Sequence, residues 1–127
     1  MDQFSVSKTI KGTLPRVPFI VYKNTVLGKK YSLSLVFAGD TRMRKLNQQY
    51  RKKDYVPDIL SFPLSKTEGE IYINLRKTYT HAKIHEMTKN GFLAFLFIHG
   101  MLHLKGMGHG SRMESEERKY KRFFKLA

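Results

Sequence analysis

Short apolar stretches, the first two of which alternate polar and apolar residues, predict four β-strands along this chain. The first is centred on residues 4–6 (FSV), and a longer one runs from Tyr31 to Phe37, where the alternation ends in a continuous apolar run. Two more are expected at residues 59–62 (ILSF), where Pro63 should end the strand, and at residues 70–73 (EIYI). Alternation of this kind is typical of strands that bury one face. The chain therefore contains the strands of a small sheet.

Helical periodicity appears between and after these strands. Residues 15–27 mix proline with apolar side chains and predict a short helix. A second helix is expected to begin with Asp40 as its N-cap, because apolar residues then recur at Met43, Leu46 and Tyr50. Basic residues occupy the other faces of this helix, so one side of it should be buried.

The second half of the chain is mainly helical. A helix is expected from an Asn74 N-cap to a stop signal at residues 90–91 (NG), followed by a helix over residues 92–105 that is apolar nearly all round and therefore buried. Gly106 is the expected C′ residue of that helix. A last helix should open at Ser111, which has capping-box spacing to Glu114. The pattern as a whole predicts an α+β fold, a small mixed β-sheet with helices packed against it.

Length and charge narrow the class of protein. A chain of 127 residues suits one core, so we expect a single domain over residues 1–127. Twenty-four Lys and Arg against ten Asp and Glu give a formal net charge of +14, which favours polyanionic partners. There is no cysteine, which excludes disulfide scaffolds and thiolate metal sites. Any metal must be bound by histidine or carboxylate side chains.

Two further features bear on location. The first residues show no charged leader followed by an apolar segment, and the most apolar window, residues 92–104, is shorter than the ~20 residues that span a bilayer. We therefore expect a cytoplasmic protein without membrane partners.

Three of the five histidines fall within residues 99–109, in the segment HGMLHLKGMGH. Residues four apart share one helix face, so His99 and His103 can point at a common atom. A glycine at position 106 allows the chain to turn back, which brings His109 to the same point. Unpaired polar rings in apolar surroundings cost about 1–3 kcal/mol each, and metal ligation satisfies both helix histidines at once. The segment predicts a metal site at the end of a buried helix, with an open fourth position as in catalytic zinc sites.

The same spacing occurs in metzincin zinc peptidases, but their general-base glutamate is replaced here by Gly100. Peptide cleavage therefore loses the group that accepts the proton from the attacking water. A glycine inside a helix costs about 1 kcal/mol relative to alanine, which indicates close packing or access at that position. His81 and His85 also lie four apart, but their neighbours are polar and charged, so we interpret them as residues of a solvated helix face without a metal role.

With these residues in view, the chain resembles the YbeY family of endoribonucleases and rRNA maturation factors. The family signature is close to H-G-x-L-H-L-x-G-y-D-H, and residues 99–109 depart from it at Met107, in place of an aromatic residue, and at Gly108, in place of Asp. Residues 46–51 (LNQQYR), 57–63 (PDILSFP) and 69–71 (GEI) match other family stretches in the same order. The similarity covers most of residues 33 to 118.

The resemblance implies a metal-dependent endoribonuclease, specific for single-stranded RNA, that acts in ribosomal RNA processing and ribosome quality control. It implies metal ligation by His99, His103 and His109, and it transfers the family's functional arginine to Arg51. The metal would be one divalent ion; three imidazoles suit zinc, nickel, cobalt or copper, and we expect zinc, with nickel as the alternative. The replacement of the family Asp by Gly108 removes a carboxylate that could tune metal affinity.

The remaining candidate residues follow from the chemistry of RNA. Arg51 could hold phosphoryl oxygens in a bidentate manner, and Lys52 and Lys53 could add phosphate affinity without sequence preference. Exposed tyrosines can stack on unpaired bases, and carboxylates can accept protons. The candidates for stacking are Tyr50, Tyr55 and Tyr72, and the candidate proton acceptors are Asp54, Asp58 and Glu70.

Two other functions stay open on the sequence alone. The chain could be a ribosome assembly or RNA-binding factor in which the metal is structural, or a metal-dependent hydrolase of small phosphoesters or peptides. Under the leading hypothesis the partners are an rRNA precursor and, beyond it, the ribosome or its proteins, with no DNA substrate.

Overall fold

A computed structural model describes residues 3–127, which form four strands and five helices. The elements in chain order are β1 (Phe4–Lys8), α1 (Phe19–Val26), β2 (Ser32–Phe37), α2 (Asp40–Arg51), β3 (Ile59–Ser65), β4 (Glu68–Ile73), α3 (Leu75–Ile84), α4 (Lys89–Leu104) and α5 (Ser111–Phe123). This order and content confirm the predicted α+β fold.

The strands form one mixed sheet in the order β1-β2-β4-β3. β1 and β4 both pair with β2 in parallel, whereas β3 pairs with β4 as an antiparallel hairpin. Alternate apolar residues of the two central strands point to one face, where Leu35, Phe37, Ile71 and Ile73 are fully buried, whereas Tyr72 points to the other face and packs with a second apolar cluster. The period-two alternation seen in the sequence is thus the inner face of this sheet.

α4 packs on that inner face and forms the centre of the core. Leu93, Phe97 and Met101 have no exposed surface, and they cluster with the buried residues of β2 and β4. Gly100 lies against the sheet, where an added Cβ would come within 2.6 Å of Ile59 Cδ1 and 2.9 Å of Ser61 Oγ. The close packing predicted at this glycine is confirmed, and it brings the C-terminal half of α4 directly onto β3.

Within residues 3–127, no helix has the length and apolar character needed to cross a bilayer.

The prediction that Pro63 ends its strand is wrong. β3 continues to Ser65, with Pro63 paired opposite Gly69 and a register shift between Pro63 and Ser65. β3 is an edge strand, so a residue without an N–H can be accommodated there.

The predicted stop at residues 90–91 is also wrong. α3 ends earlier, where Glu86 takes a left-handed conformation with φ 55° and the amide of Met87 donates to the carbonyl of Ala82 at 2.9 Å. This is the Schellman pattern, with glutamate where glycine is usual. Gly91 instead lies in the first turn of α4, where its amide donates to the N-cap side chain of Thr88 at 3.0 Å.

Of the three predicted N-caps, one is confirmed. The side chain of Asn74 accepts from the amide of Lys77 at 2.8 Å. At the other two helices the N-cap is a glycine one residue earlier, Gly39 or Gly110, without a side-chain cap. Asp40 instead bonds the side chains of Asn74 and Arg76, which ties α2 to α3.

Candidate metal centre

Two imidazoles lie in the last turns of α4, and the chain reverses direction directly after the helix. His99 and His103 lie one turn apart, and the amides of Gly106 and Met107 donate to the carbonyls of His103 and Leu102 at 2.9 and 3.1 Å. Gly106 has φ 92°, so it is the C′ glycine that the sequence predicts.

The reversal brings His109 back to the helix end. Its ring centroid lies 5.4 Å from that of His99 and 4.8 Å from that of His103. One nitrogen of each of the three rings lies within 4.8 Å of the others. The structure therefore brings together the three histidines singled out in the sequence.

Hydrogen bonds determine which nitrogens face the centre of this cluster. Nδ1 of His103 lies 2.9 Å from the carbonyl of Met107, which can only accept, so this nitrogen carries a proton. Nδ1 of His99 lies 3.1 Å from the Glu117 carboxylate and donates in the same way. The Nε2 atoms of the two rings then face each other at 3.1 Å with their lone pairs. Such an arrangement is repulsive unless a cation lies between them, so the donor set fits a metal ion.

The surroundings of His103 favour its neutral form by lowering its pKa. Burial lowers the pKa of His103, and the neighbouring His99 and His109 rings lower it further. Neutral imidazole is the form that binds metals. The cluster could therefore hold a divalent ion without first losing a proton from His103 near neutral pH.

Glu117 contacts this cluster and was not predicted from the sequence, because its charge was assigned to the helix dipole. Its side chain is only 13% exposed and contacts His99 from α5. A signal for it exists in the sequence: Met113 and Tyr120, which are both buried, lie four residues before and three after it on the same helix face. A glutamate on the same helix face as two buried residues indicates a specific partner.

The cluster lies in an open cleft of about 830 Å³. The cleft is also lined by side chains from α2, from β3 and the loop before it, and from α3. These are Tyr50 and Arg51 of α2, Tyr55, Asp58 and Ser61 of β3 and its preceding loop, and Lys77 and His81 of α3. Arg51 therefore lies in the same cleft as the three histidines. Lys52 and Lys53 are exposed just beyond α2 and do not line the cleft.

The tyrosines divide between cleft and core. Tyr50 and Tyr55 are 59% and 47% exposed and line the cleft, so both remain available for stacking. Tyr72 packs its ring against Phe62, which in turn contacts Tyr50 with ring centroids 5.1 Å apart. Tyr50, Tyr55 and Phe62 form the aromatic wall of the cleft. Tyr72 packs behind this wall and does not line the cleft.

The candidate carboxylates also separate. Asp58 lines the cleft, whereas Glu70 is on β4 and outside it. Asp54 accepts hydrogen bonds from Arg44 and Gln48, each at 2.6 Å, and the Arg44 bond lowers the pKa of this carboxyl. Of the three, only Asp58 remains in position for chemistry near the histidines.

His81 differs from the sequence interpretation of a solvated residue. It lines the cleft, and its Nδ1 lies 2.9 Å from Asp58 Oδ2. Neither His81 nor His85 belongs to the three-histidine cluster, and His85 stacks on Phe92 with ring centroids 5.2 Å apart. Lys77 was likewise missed; it lies four residues before His81, on the same helix face.

Fold and site together define a class: small α+β proteins with a three-histidine cluster, able to hold a metal ion, in an open cleft lined by basic and aromatic side chains. The particular family follows from comparison with known sequences. The family model for Endoribonuclease YbeY matches residues 2–123, and the chain belongs to this family.

Individual relatives agree with this assignment. The chain is 40% identical over 97 residues to the Endoribonuclease YbeY of Thermodesulfovibrio yellowstonii, a match that covers 71% of this chain and 60% of the relative. It is 33% identical over 98 residues to that of Alkaliphilus metalliredigens, covering 68% of this chain and 63% of the relative. These matches span less than two thirds of the relatives' own length.

A solved structure agrees with the fold. A solution structure of a Thermotoga maritima protein superposes with a TM-score of 0.66 at 25% sequence identity, covering 92% of this chain and 85% of that one.

Proposed function

We propose that this chain is a metal-dependent endoribonuclease for single-stranded RNA, with His99, His103 and His109 as the metal ligands. The observation that carries the proposal is the pair of Nε2 atoms 3.1 Å apart whose rings are both fixed by Nδ1 hydrogen bonds. We propose zinc as the metal, with nickel as the alternative, because imidazole suits both. Membership of the Endoribonuclease YbeY family supports the reaction class.

The position of the cluster favours catalysis over a purely structural role for the metal. Three protein ligands leave a position for water or substrate, whereas structural zinc sites are closed by four. His109 is exposed and the cleft is open, so a substrate can reach the cluster. His99, His103 and His109 would hold a divalent ion there, which would supply Lewis-acid activation of water and of a phosphoryl oxygen.

Basic residues of the cleft would bind the phosphate of the substrate. Arg51 and Lys77 line the same cleft as the three histidines. The planar guanidinium of Arg51 can hold two phosphoryl oxygens at once and stabilise the charge that develops there. Lys52 and Lys53, which lie outside the cleft, would contact phosphates along the strand and add affinity without sequence preference.

The aromatic wall supports a preference for single strands. Tyr50 and Tyr55 are the exposed aromatic residues of the cleft, and each can stack on an unpaired base. A stacked base contributes about 1–3 kcal/mol, and a base within a duplex already stacks on its neighbours. An unpaired strand therefore gains the most from this cleft.

We further propose an rRNA precursor as the natural substrate, the ribosome or its proteins as partners, and a cytoplasmic location for a single domain over residues 1–127. The family's name for its members and the net charge of +14 support an RNA substrate over DNA or a membrane.

The proposal is tested with His103→Ala, assayed on fluorophore-labelled single-stranded RNA, the matching duplex and single-stranded DNA. Elemental analysis should find one divalent ion per chain in the wild type and none in His103→Ala, and only the wild type should cleave the single-stranded RNA. His85→Ala, which changes a histidine outside the cluster, is the control. Cleavage by a metal-free His103→Ala protein at the wild-type rate would contradict the proposal.

The same experiment separates the alternative of an assembly factor with a structural metal. In that case metal removal lowers the melting temperature, the wild type binds RNA without cleaving it, and binding persists without metal.

A further inference from the structure

A second histidine site lies in the cleft, separate from the three-histidine cluster. Nδ1 of His81 lies 2.9 Å from Oδ2 of Asp58, and both residues line the cleft that contains His99, His103 and His109. The two side chains are 37% and 23% exposed, so they are neither core residues nor free surface groups. A half-buried histidine bonded to a carboxylate in a reactive cleft has the arrangement of an acid–base pair.

The pair is held by the fold on both sides. The amide of Asn74, the N-cap of α3, donates to the carbonyl of Asp58 at 2.9 Å, which ties the start of β3 to the start of α3. His81 is followed by Ala82, which is 1% exposed and packs with Phe92 and Leu96 of α4. The imidazole therefore projects from a rigid helix toward the cleft.

The hydrogen bond to Asp58 also shows which nitrogen of the His81 ring carries the proton. A carboxylate accepts, so Nδ1 of His81 carries the proton that it donates, and Nε2 is left for the cleft. None of the hydrogen bonds among residues 3–127 uses Nε2. In this state the ring can gain a proton at Nε2 and deliver it again, while the carboxylate stabilises the imidazolium.

We infer that His81 is the general acid of the proposed ribonuclease reaction and that Asp58 is its positioning residue. The inference rests on the proposed function and adds the group that protonates the leaving oxygen. The water oxygen forms a bond to phosphorus as the bond from phosphorus to the leaving oxygen breaks, and the proton on His81 Nε2 passes to that oxygen. The proton released by the attacking water returns to the solvent, and His81 takes up another proton before the next turnover.

Other residues of the cleft are less suited to this step. Arg51 and Lys77 are cations that bind phosphate, and arginine does not release its proton in proteins. The rings of His99 and His103 have their Nδ1 protons committed to Glu117 and Met107, and their Nε2 atoms face each other. His81 thus has both a free nitrogen and a carboxylate partner.

The test compares His81→Gln with the control His85→Gln on the metal-loaded full chain. Glutamine keeps an N–H that can bond Asp58 but cannot transfer a proton. We expect single-turnover cleavage of single-stranded RNA to fall by about 10²–10⁴-fold in His81→Gln, with metal content unchanged, RNA affinity within about twofold of wild type, and the control at the wild-type rate.

A substrate with sulfur in place of the leaving oxygen identifies the step. A thiolate leaves without protonation, so this substrate should restore His81→Gln to nearly the wild-type rate. Equal losses on the oxygen and sulfur substrates, or wild-type cleavage of the ordinary RNA, would overturn the role of His81 while leaving the proposed ribonuclease intact. A wild-type protein that binds metal but cleaves no RNA would overturn both.

The positioning role of Asp58 is tested by a measurement that a purely structural role would leave unchanged, the tautomer of His81. In Asp58→Asn, ¹⁵N chemical shifts of His81 should show loss of the tautomer protonated at Nδ1, and Asp58→Glu should restore part of both the tautomer and the cleavage rate. Retention of the wild-type tautomer and rate in Asp58→Asn would overturn the positioning role.

Discussion

The Glu117 carboxylate accepts a hydrogen bond from Nδ1 of His99 at 3.1 Å, and this contact turns the Nε2 atom of the ring toward His103. The last helix therefore contributes to the site although it supplies no ligand atom. Carboxylates in this position fix the tautomer of a ligand and raise its basicity. Among residues 3–127, Glu117 is the carboxylate that forms a hydrogen bond to this cluster.

Removing this carboxylate should weaken metal binding without unfolding the protein. We expect Glu117→Gln to lower zinc affinity by about 10–100-fold, because the neutral amide holds the ring less firmly and donates less electron density to it. Competition with a chelating indicator measures the change. Glu114→Gln, an exposed residue of the same helix, is the control and should bind zinc as the wild type does.

The packing of α4 on β3 should make Gly100 intolerant of any side chain. An alanine Cβ would lie 2.6 Å from Ile59 Cδ1, so we expect Gly100→Ala to lower the free energy of unfolding by about 1–3 kcal/mol. Gly108→Ala is the matched control, because nothing lies within 4 Å of its added Cβ. Urea unfolding measures the free energy of unfolding of both variants. Equal values for Gly100→Ala and Gly108→Ala would show that the helix can move away from the sheet.

The left-handed residue at the end of α3 offers a stabilising substitution. Glu86 has φ 55°, a conformation that costs a residue with a Cβ about 1–2 kcal/mol, whereas glycine adopts it freely. Because glycine also raises the entropy of the unfolded chain, we expect Glu86→Gly to add a net ~0.5–1 kcal/mol. Lys83→Gly, within the same helix, should instead destabilise by about 0.5–1 kcal/mol. The melting temperature should therefore rise in Glu86→Gly and fall in Lys83→Gly.

The contact between Asp40 and Arg76 should make stability depend on pH in acid. The hydrogen bond from Arg76, followed by that from Asn74, lowers the pKa of Asp40 below its ordinary value. A carboxyl whose pKa is lowered by folding stabilises the native state above its unfolded pKa, near ~3.9, and loses that contribution as the pH falls through the lower folded value. Asp40→Asn and Arg76→Gln should both lose less stability than the wild type between neutral pH and acid, measured by urea unfolding.

The basic residues after α2 should affect binding and not chemistry. Removing one cation that binds a phosphate reduces the slope of log K against log salt by about 0.7 on single strands, so Lys52→Ala and Lys53→Ala should each lower the slope by about that amount. Cleavage at saturating RNA should not change. Arg51→Lys keeps the charge but cannot bind phosphate in a bidentate manner, so it should lower the cleavage rate at saturating RNA. Fluorescence anisotropy across salt concentrations measures the slope, and a cleavage assay at saturating RNA measures the rate.

Features that depend on local spacing were predictable from the sequence. Alternation identified β1 and β2, apolar residues on every face identified α4 as buried, and four-residue spacing with Gly106 placed His99, His103 and His109 together. Each of these follows from the helix and strand repeats and from the left-handed freedom of glycine, which act over a few residues.

The contacts between these elements were not predictable, because they depend on how the elements pack. Glu117 reaches His99, and His81 reaches Asp58, only because α5 and α3 pack beside α4 and β3. The end of α3 at Glu86 was not predicted either, because a glutamate gives no local signal for a left-handed turn. Spacing along the chain specifies which side chains share a face, but contacts between faces depend on how the elements pack around the core, and that packing brought a carboxylate to His99 and another to His81.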